Sequence, residues 1–387
     1  MTEDLKWSEY DFTKTPYDKV VRVGQRTMLY RDMFTVSWLL GRFCNYNCSY
    51  CWPYARSNKK DHRPTELNLK TIDEIKRQAR ERGLNSFHFS LSGGEPTFHP
   101  GYLDMLKHLS DDVENTNYTS VHMTSNCSRN MKWFETYVDY ASKFHRASIT
   151  ASLHVEHVNT PEKMQQLADK LILCQEHDVQ VTINMVMVPE LFDRYYDNAL
   201  FFHNQNINVT LKPQSDPTAS KVVDGYTDEM RAKLHNGMPQ RGYTETKNKY
   251  VTRPEPNFKI DTDDAYRKQT AKVPWHMQIE FRDDKGDPWY MDQAERFNAF
   301  DFNNFEGWEC SSGYRSIIIR EPDGSVKRSY SCGDQPLGNI ETGFRLFDGP
   351  VKCTTKACVS SADSKIPKRA PGTQMPLWPG DETYKVK

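Results

Sequence analysis

Between residues 35 and 215, short apolar or alternating runs recur, separated by stretches whose apolar residues fall at helical spacing. The runs 35–41, 87–91, 119–124, 147–153, 179–188 and 207–212 read as strands. The stretches 69–82, 102–109, 131–144, 161–176 and 191–203 read as helices. Thr160-Pro161-Glu162 is a strong helix start, with a capping hydroxyl, a proline at the first position and an acid in the first turn. Six strands alternating with helices predict an α/β unit: a parallel sheet with helices outside it.

After residue 215 the pattern changes. Residues 226–236 read as one more helix, whereas 237–275 are polar with no clear period. The runs 276–281 and 288–291 flank Asp283-Asp284-Lys285-Gly286-Asp287, a hairpin signal. Residues 216–300 are therefore expected to be a bridging helix and an insertion, either a lid or substrate-binding wall or a plain surface loop. Further on, 314–330 read as strand, Pro322-Asp323-Gly324 turn and strand. The Pro- and Lys-rich segment 361–387 reads as a loosely ordered tail, and 1–34 as an N-terminal extension.

Composition narrows the classes. Lys+Arg 51 against Asp+Glu 52 gives a net charge of −1, so no global basic bias argues for nucleic acid. Residues 241–272 do collect Lys, Arg and Tyr, but Asp261, Asp263 and Asp264 interrupt them. No signal-peptide pattern opens the chain and no apolar run would span a bilayer, so the expectation is a cytoplasmic protein with no membrane partner. Nine cysteines, an odd number, fit metal binding better than a disulfide framework. Seven fall into two groups, leaving Cys127 and Cys174 as packed core thiols.

The first group is Cys44, Cys48 and Cys51 in the run CNYNCSYC, directly after the first strand. Three thiolates on one loop can hold three irons of a cubane and leave the fourth open to a small molecule. After the second strand comes Ser92-Gly93-Gly94-Glu95-Pro96, where two glycines permit close backbone approach and the glutamate can accept from an amine. Together, in this order, CNYNCSYC and SGGEP resemble the radical S-adenosylmethionine (SAM) superfamily. The resemblance implies a (β/α)6 partial TIM barrel over 35–215, with the chemistry at the C-terminal ends of its strands. It also implies that Cys44, Cys48 and Cys51 ligate a SAM-cleaving [4Fe–4S] cluster and that Gly93, Gly94 and Glu95 meet the SAM amino group. Tyr50 stands where the family places an aromatic near the adenine, with packing of the loop as the alternative. Ser125 and Asn126 match a family Thr-Asn-Gly site in which Cys127 replaces the glycine, and Ser152 is the ribose candidate. Asn184 and Lys212, at the ends of later strands, are candidate substrate contacts.

The second group is Cys310, Cys332, Cys353 and Cys358. The hairpin between the first two would bring them together at its open end. Residues 301–360 resemble the Twitch domain, the shorter relative of SPASM, which carries one auxiliary [4Fe–4S] cluster held by four cysteines. Zinc is the alternative for four thiolates. Full ligation leaves no open iron, which favours an electron-acceptor role. The expected activity is oxidation of a small polar metabolite (a sugar, cyclitol or nucleotide derivative), using two [4Fe–4S] clusters, SAM and a flavodoxin- or ferredoxin-like reductant. The rivals are maturation of a ribosomally made peptide and a non-catalytic iron–sulfur or zinc protein.

Overall fold

The computed structural model describes residues 17–25, 32–52, 55–217, 222–236, 279–283, 288–291, 302–332, 336–358, 360–373 and 377. In chain order the strands are β1 (Val20–Gln25), β2 (Met33–Leu39), β3 (Ser86–Ser92), β4 (Tyr118–Ser125), β5 (Arg146–Leu153), β6 (Val179–Met187), β7 (Asn208–Pro213), β8 (Ile279–Asp283) and β9 (Pro288–Met291). They continue with β10 (Glu309–Cys310), β11 (Ser316–Arg320), β12 (Ser325–Lys327), β13 (Pro336–Asn339), β14 (Gly343–Phe344), β15 (Val351–Lys352) and β16 (Lys368–Arg369). The helices are α1 (Thr65–Arg80), α2 (Tyr102–Asp111), α3 (Met131–Ala141), α4 (Pro161–Glu176), α5 (Phe192–Asn204), α6 (Asp228–Asn236) and α7 (Ser361–Ser364).

Alternation along the strands sets the architecture. In β2, Phe34, Val36 and Trp38 are fully buried on one face, while Ser37 on the other is half-buried. Strands β2 to β7 lie side by side in sequence order, and every pair is parallel. Helices α1 to α5, each falling between two consecutive strands of this run, pack against one face of the sheet, the arrangement expected of a barrel wall. That face is apolar: Val36, Phe89, Val121, Ile149 and Val181 join one core with Ile75, Leu106, Phe134 and Leu171 of the helices. The opposite face is polar. Ser37, Ser90, His122, Ser148 and Gln180 form one row in register across five strands. Polar pairs cross the strands there, His88 Nδ1 to Ser120 Oγ at 2.8 Å, His122 Nδ1 to Ser148 Oγ at 2.8 Å and Arg146 Nε to Gln180 Oε1 at 2.9 Å.

The sheet continues past β2. Strand β11 pairs with β2 in parallel, from Thr35↔Ser316 to Leu39↔Arg320, and β12, β13 and β14 follow antiparallel. Ile317, Ile319 and Val326 thereby enter the same core as the barrel strands. The 314–330 hairpin is thus part of the central sheet. A second sheet, ordered β15-β10-β16-β1-β8-β9, joins residues from both ends of the chain. Residues 360–373, within or beside the stretch read as a loose tail, form α7 and β16, and Ala370 N–H donates to Val21 O at 2.8 Å. The candidate hairpin at 276–291 is present as antiparallel β8 and β9. The rest of the insertion, including Asp261, Asp263 and Asp264, lies outside the described residues. No helix among the described residues is long and apolar enough to cross a membrane.

This topology separates the two cysteine groups. Cys44 follows the C-terminal end of β2 and Gly93 that of β3. Because β11 runs parallel to β2, Cys310 before it and Cys332 beyond the returning β12 belong to the opposite, N-terminal edge. A seven-residue strand such as β2 spans about 20 Å at ~3.3 Å per residue.

Candidate functional site

The two sequence motifs meet through backbone. Leu40 N–H donates to Ser92 O at 2.8 Å, Gly94 N–H to Gly41 O at 3.0 Å and Glu95 N–H to Phe43 O at 2.6 Å. A Cβ on Gly94 would stand 2.2 Å from Phe43 O and 2.4 Å from Arg42 O. Gly93 has φ +142°, and its Cβ would lie 2.6 Å from Gly41 O. Both glycines are therefore needed to seat the turn against the chain entering the cysteine loop. Cys44, Cys48 and Cys51, the Gly93–Glu95 turn, and Ser125, Asn126 and Ser152 line one cavity of about 170 Å³. Burial pushes all three thiols up, Cys48 to about 12 with Glu156 adding to the effect. Such thiols release protons on binding a metal. Three convergent sulfurs beside a glycine cradle fit an iron–sulfur cluster and a small ligand on its open iron.

Glu95 is buried and well supplied with donors. Oε1 accepts from Thr97 N at 3.1 Å, Thr97 Oγ1 at 2.6 Å and Ser125 Oγ at 2.7 Å, and Oε2 accepts from Asn126 N at 2.6 Å. Burial raises its pKa while these bonds oppose the rise. Oε2 accepts from a single donor among the described residues and so keeps capacity for a further donor. Asn126 Nδ2 donates to Asn45 Oδ1 at 3.0 Å, tying the β4 loop to the cysteine loop. Cys127 adopts φ 54°, the left-handed conformation that glycine takes without strain.

The second group also converges. Cys310, Cys332, Cys353 and Cys358 are all buried. Backbone bonds hold them: Cys353 N–H to Trp308 O at 2.7 Å and Cys358 N–H to Asn303 O at 2.8 Å, while Cys332 N–H reaches Ser329 Oγ at 2.9 Å. Cys332 and Cys353 lie side by side, and their mutual interaction lowers the one thiol and raises the other. Burial pushes Cys358 up to about 11. Four buried thiols drawn from three segments fit a fully ligated metal centre.

Residues 38–203 match the radical SAM superfamily. That span contains the three-cysteine loop, the Gly93–Glu95 turn and Ser152. The superfamily implies a [4Fe–4S] cluster and SAM; the four later cysteines lie outside the matched span. No curated protein matches the chain. Among solved structures, native anSMEcpe with bound AdoMet and Kp18Cys peptide is 15% identical, with a TM-score of 0.42, covering 80% of this chain and 79% of that one. A hexahistidine-tagged form of anSMEcpe with bound AdoMet is 14% identical, with a TM-score of 0.43, covering 80% and 78%.

Several residues around the three-cysteine cavity carried no weight in the sequence. The turn after β5 grips the cysteine loop. Glu156 accepts from Ser49 N at 2.9 Å and from the Ser49 hydroxyl. His157 stacks on Tyr46 with ring centroids 4.0 Å apart. Tyr50 OH bonds His154 Nδ1 at 2.9 Å, and Tyr50 is not among the residues lining the cavity. Burial lowers His154 to about 4, so its imidazole is neutral at pH 7. Asn184 pairs with Ser152 across β5 and β6 and so shares its face, while Lys212 pairs with Val186 one step beyond. Neither lines the cavity.

A third cluster, His62, His99 and Glu321, offers ligand atoms within 4.8 Å of one another. Gly101 N–H donates to His99 Nδ1 at 3.0 Å, so the ring proton sits on Nε2 and points to Glu321 Oε1 at 2.8 Å. The cluster is a hydrogen-bonded clasp rather than a metal site. It joins the β11–β12 turn to the loop after the Gly93–Glu95 motif.

Proposed function

We propose that the chain is a radical SAM oxidoreductase with a Twitch-type auxiliary centre, acting on a small polar metabolite such as a sugar, cyclitol or nucleotide derivative. The observation that carries this reading is the single cavity shared by the three loop thiols, the Gly93–Glu95 turn, Ser125, Asn126 and Ser152. Cys44, Cys48 and Cys51 would hold three irons of a [4Fe–4S] cluster, with the fourth open to the amino and carboxylate groups of SAM. A cluster bound there supplies the electron that cleaves SAM to a 5′-deoxyadenosyl radical, the species that takes hydrogen from the substrate. Glu95 Oε2 would orient the SAM amino group, and Ser152 would meet a ribose hydroxyl. The polar inner face, with Ser148, Gln180 and Asn184 and with Lys212 near the mouth, supports a hydroxyl-rich substrate.

Net oxidation requires an acceptor for the second substrate electron, and Cys310, Cys332, Cys353 and Cys358 would hold it as a second [4Fe–4S] cluster. A flavodoxin- or ferredoxin-like protein in the cytoplasm would supply the low-potential electron for SAM cleavage. Anaerobically reconstituted protein should carry about eight irons, the content of two cubanes. With dithionite and SAM it should release 5′-deoxyadenosine. Alanine at Cys44, Cys48 and Cys51 should abolish that release, whereas Cys353→Ala should retain it and lose only the oxidised product. Iron-loaded wild type that forms no deoxyadenosine would rule the reading out.

A further inference from the structure

Lys368 is an unusual neighbour for a thiolate centre. Its side chain is 1% exposed. Strand β16 sets it directly opposite Cys310 on β10. The ammonium donates to Asp363 O at 2.6 Å, Ile366 O at 2.9 Å and Ser364 O at 3.3 Å, and lies 5.1 Å above the Phe305 ring. These three carbonyls satisfy its hydrogen bonds but not its charge. Among the described residues it forms no ion pair with a carboxylate. The nearest acid on its own segment, Asp363, spends its carboxylate on Tyr330 N–H at 3.0 Å and Ser331 N–H at 2.6 Å. A buried ammonium needs negative charge nearby. Beside the Asp363 carboxylate, the groups that would supply it are the thiols of Cys358, Cys310 and Cys353, with Cys310 directly across the strand pair.

We propose that Lys368 is the built-in countercharge of the four-thiolate centre, stabilising the more negative, reduced state of the group held there and so making it an electron acceptor. This rests on the reading of Cys310, Cys332, Cys353 and Cys358 as ligands of a redox-active cluster. Four thiolates on a cubane leave a net negative centre, and reduction adds one more negative charge. A fixed cation across one strand pair favours that added charge, and a dry surround strengthens the effect. Capping of the short α7 by the lysine is compatible with this geometry, yet a cap alone would work as well in a solvent-exposed position.

The test uses full-length protein with Cys44, Cys48 and Cys51 changed to alanine, so that the auxiliary centre is the sole cluster. About four irons per chain would establish the ligand reading, and none would refute that reading independently of Lys368. Lys368→Met and Lys368→Gln are then compared with Lys368→Arg by potentiometric titration followed by electron paramagnetic resonance. Both neutral variants should lower the reduced-to-oxidised ratio at a fixed potential at least tenfold, a shift of ~59 mV for one electron. Lys368→Arg should stay close to the parent. Equal midpoints for all four proteins would overturn the proposal. Folded neutral variants that cannot take up iron, beside an arginine variant that can, would support it. Neutral variants that do not fold even without iron would overturn it, because the ammonium would then serve the carbonyls alone.

Discussion

At the scale of single residues, the strongest constraint is steric. Gly94 lies between two carbonyls of the chain leading into Cys44, and backbone atoms cannot swing aside as a side-chain tip can. Gly94→Ala must push the turn and the cysteine loop apart. The expected loss is at least about 1–3 kcal/mol of stability, as for other overpacked sites. Iron uptake should fall with it, and denaturant unfolding together with iron analysis would check both. Gly83, which has open space around its Cβ position, is the control, although its φ of +73° still carries strain for alanine. Legibility of the site followed the same physics. The cysteines and glycines could be read from the sequence because their chemistry is local and their spacing short. Glu156 and His154 could not, since they reach Ser49 and Tyr50 across 107 and 104 residues, and only the folded sheet sets those partners side by side.

At the scale of elements, the barrel wall was readable and its neighbours were not. All six core strands sit within about two residues of the ranges expected from their apolar runs, and α4 coincides with 161–176. Periodicity reports a strand's faces but not its partner. The apolar run of β11 signalled a strand, yet its parallel pairing with β2 depends on an edge formed some 280 residues earlier. Likewise β16 is two residues long, too short to leave a pattern. The polar inner face carries its own expectation. Burial, with Arg146 adding to it, lowers His122 from 6.5 to about 3, and His88 also falls well below its ordinary value. Between these limits the unfolded chain binds a proton at His122 that the folded chain refuses. Stability should thus be complete above about pH 6.5 and decline as the pH falls toward 3, by up to ~1.4 kcal/mol per pH unit for this one group. His122→Gln should flatten the slope of unfolding free energy between pH 6.5 and 5. An unchanged slope would mean that the imidazole protonates freely in the folded state.

At the scale of the whole molecule, the two cysteine centres are bound into one body by the β2–β11 pairing and by Glu321. Glu321 is fully buried at the β11–β12 turn, where Oε1 accepts from Arg63 N–H at 2.5 Å and His99 Nε2–H at 2.8 Å. Arg63 returns the contact by donating to Glu321 O at 3.1 Å and Pro322 O at 3.2 Å. One carboxylate therefore links the segment after the cysteine loop, the loop after Glu95 and the β11–β12 hairpin. Glu321→Ala strips two buried donors of their acceptor and should destabilise the chain by ~2–6 kcal/mol, about 1–3 kcal/mol for each buried donor left unsatisfied. Glu321→Gln should behave differently. Glu321 Oε2 and His62 Nε2 are both buried acceptors without a hydrogen-bond partner in the same cluster. Leu40 O accepts from His62 Nδ1–H at 3.0 Å, so Nε2 holds a lone pair. An amide nitrogen in place of Oε2 brings a donor to that lone pair, while the amide oxygen still accepts from Arg63 and His99. Unfolding experiments should find the glutamine variant more stable than the alanine variant by at least about 2 kcal/mol, the scale of restoring a buried unsatisfied group. Glutamine as damaging as alanine would mean that the carboxylate's charge, rather than its hydrogen bonds, holds the hairpin to the barrel.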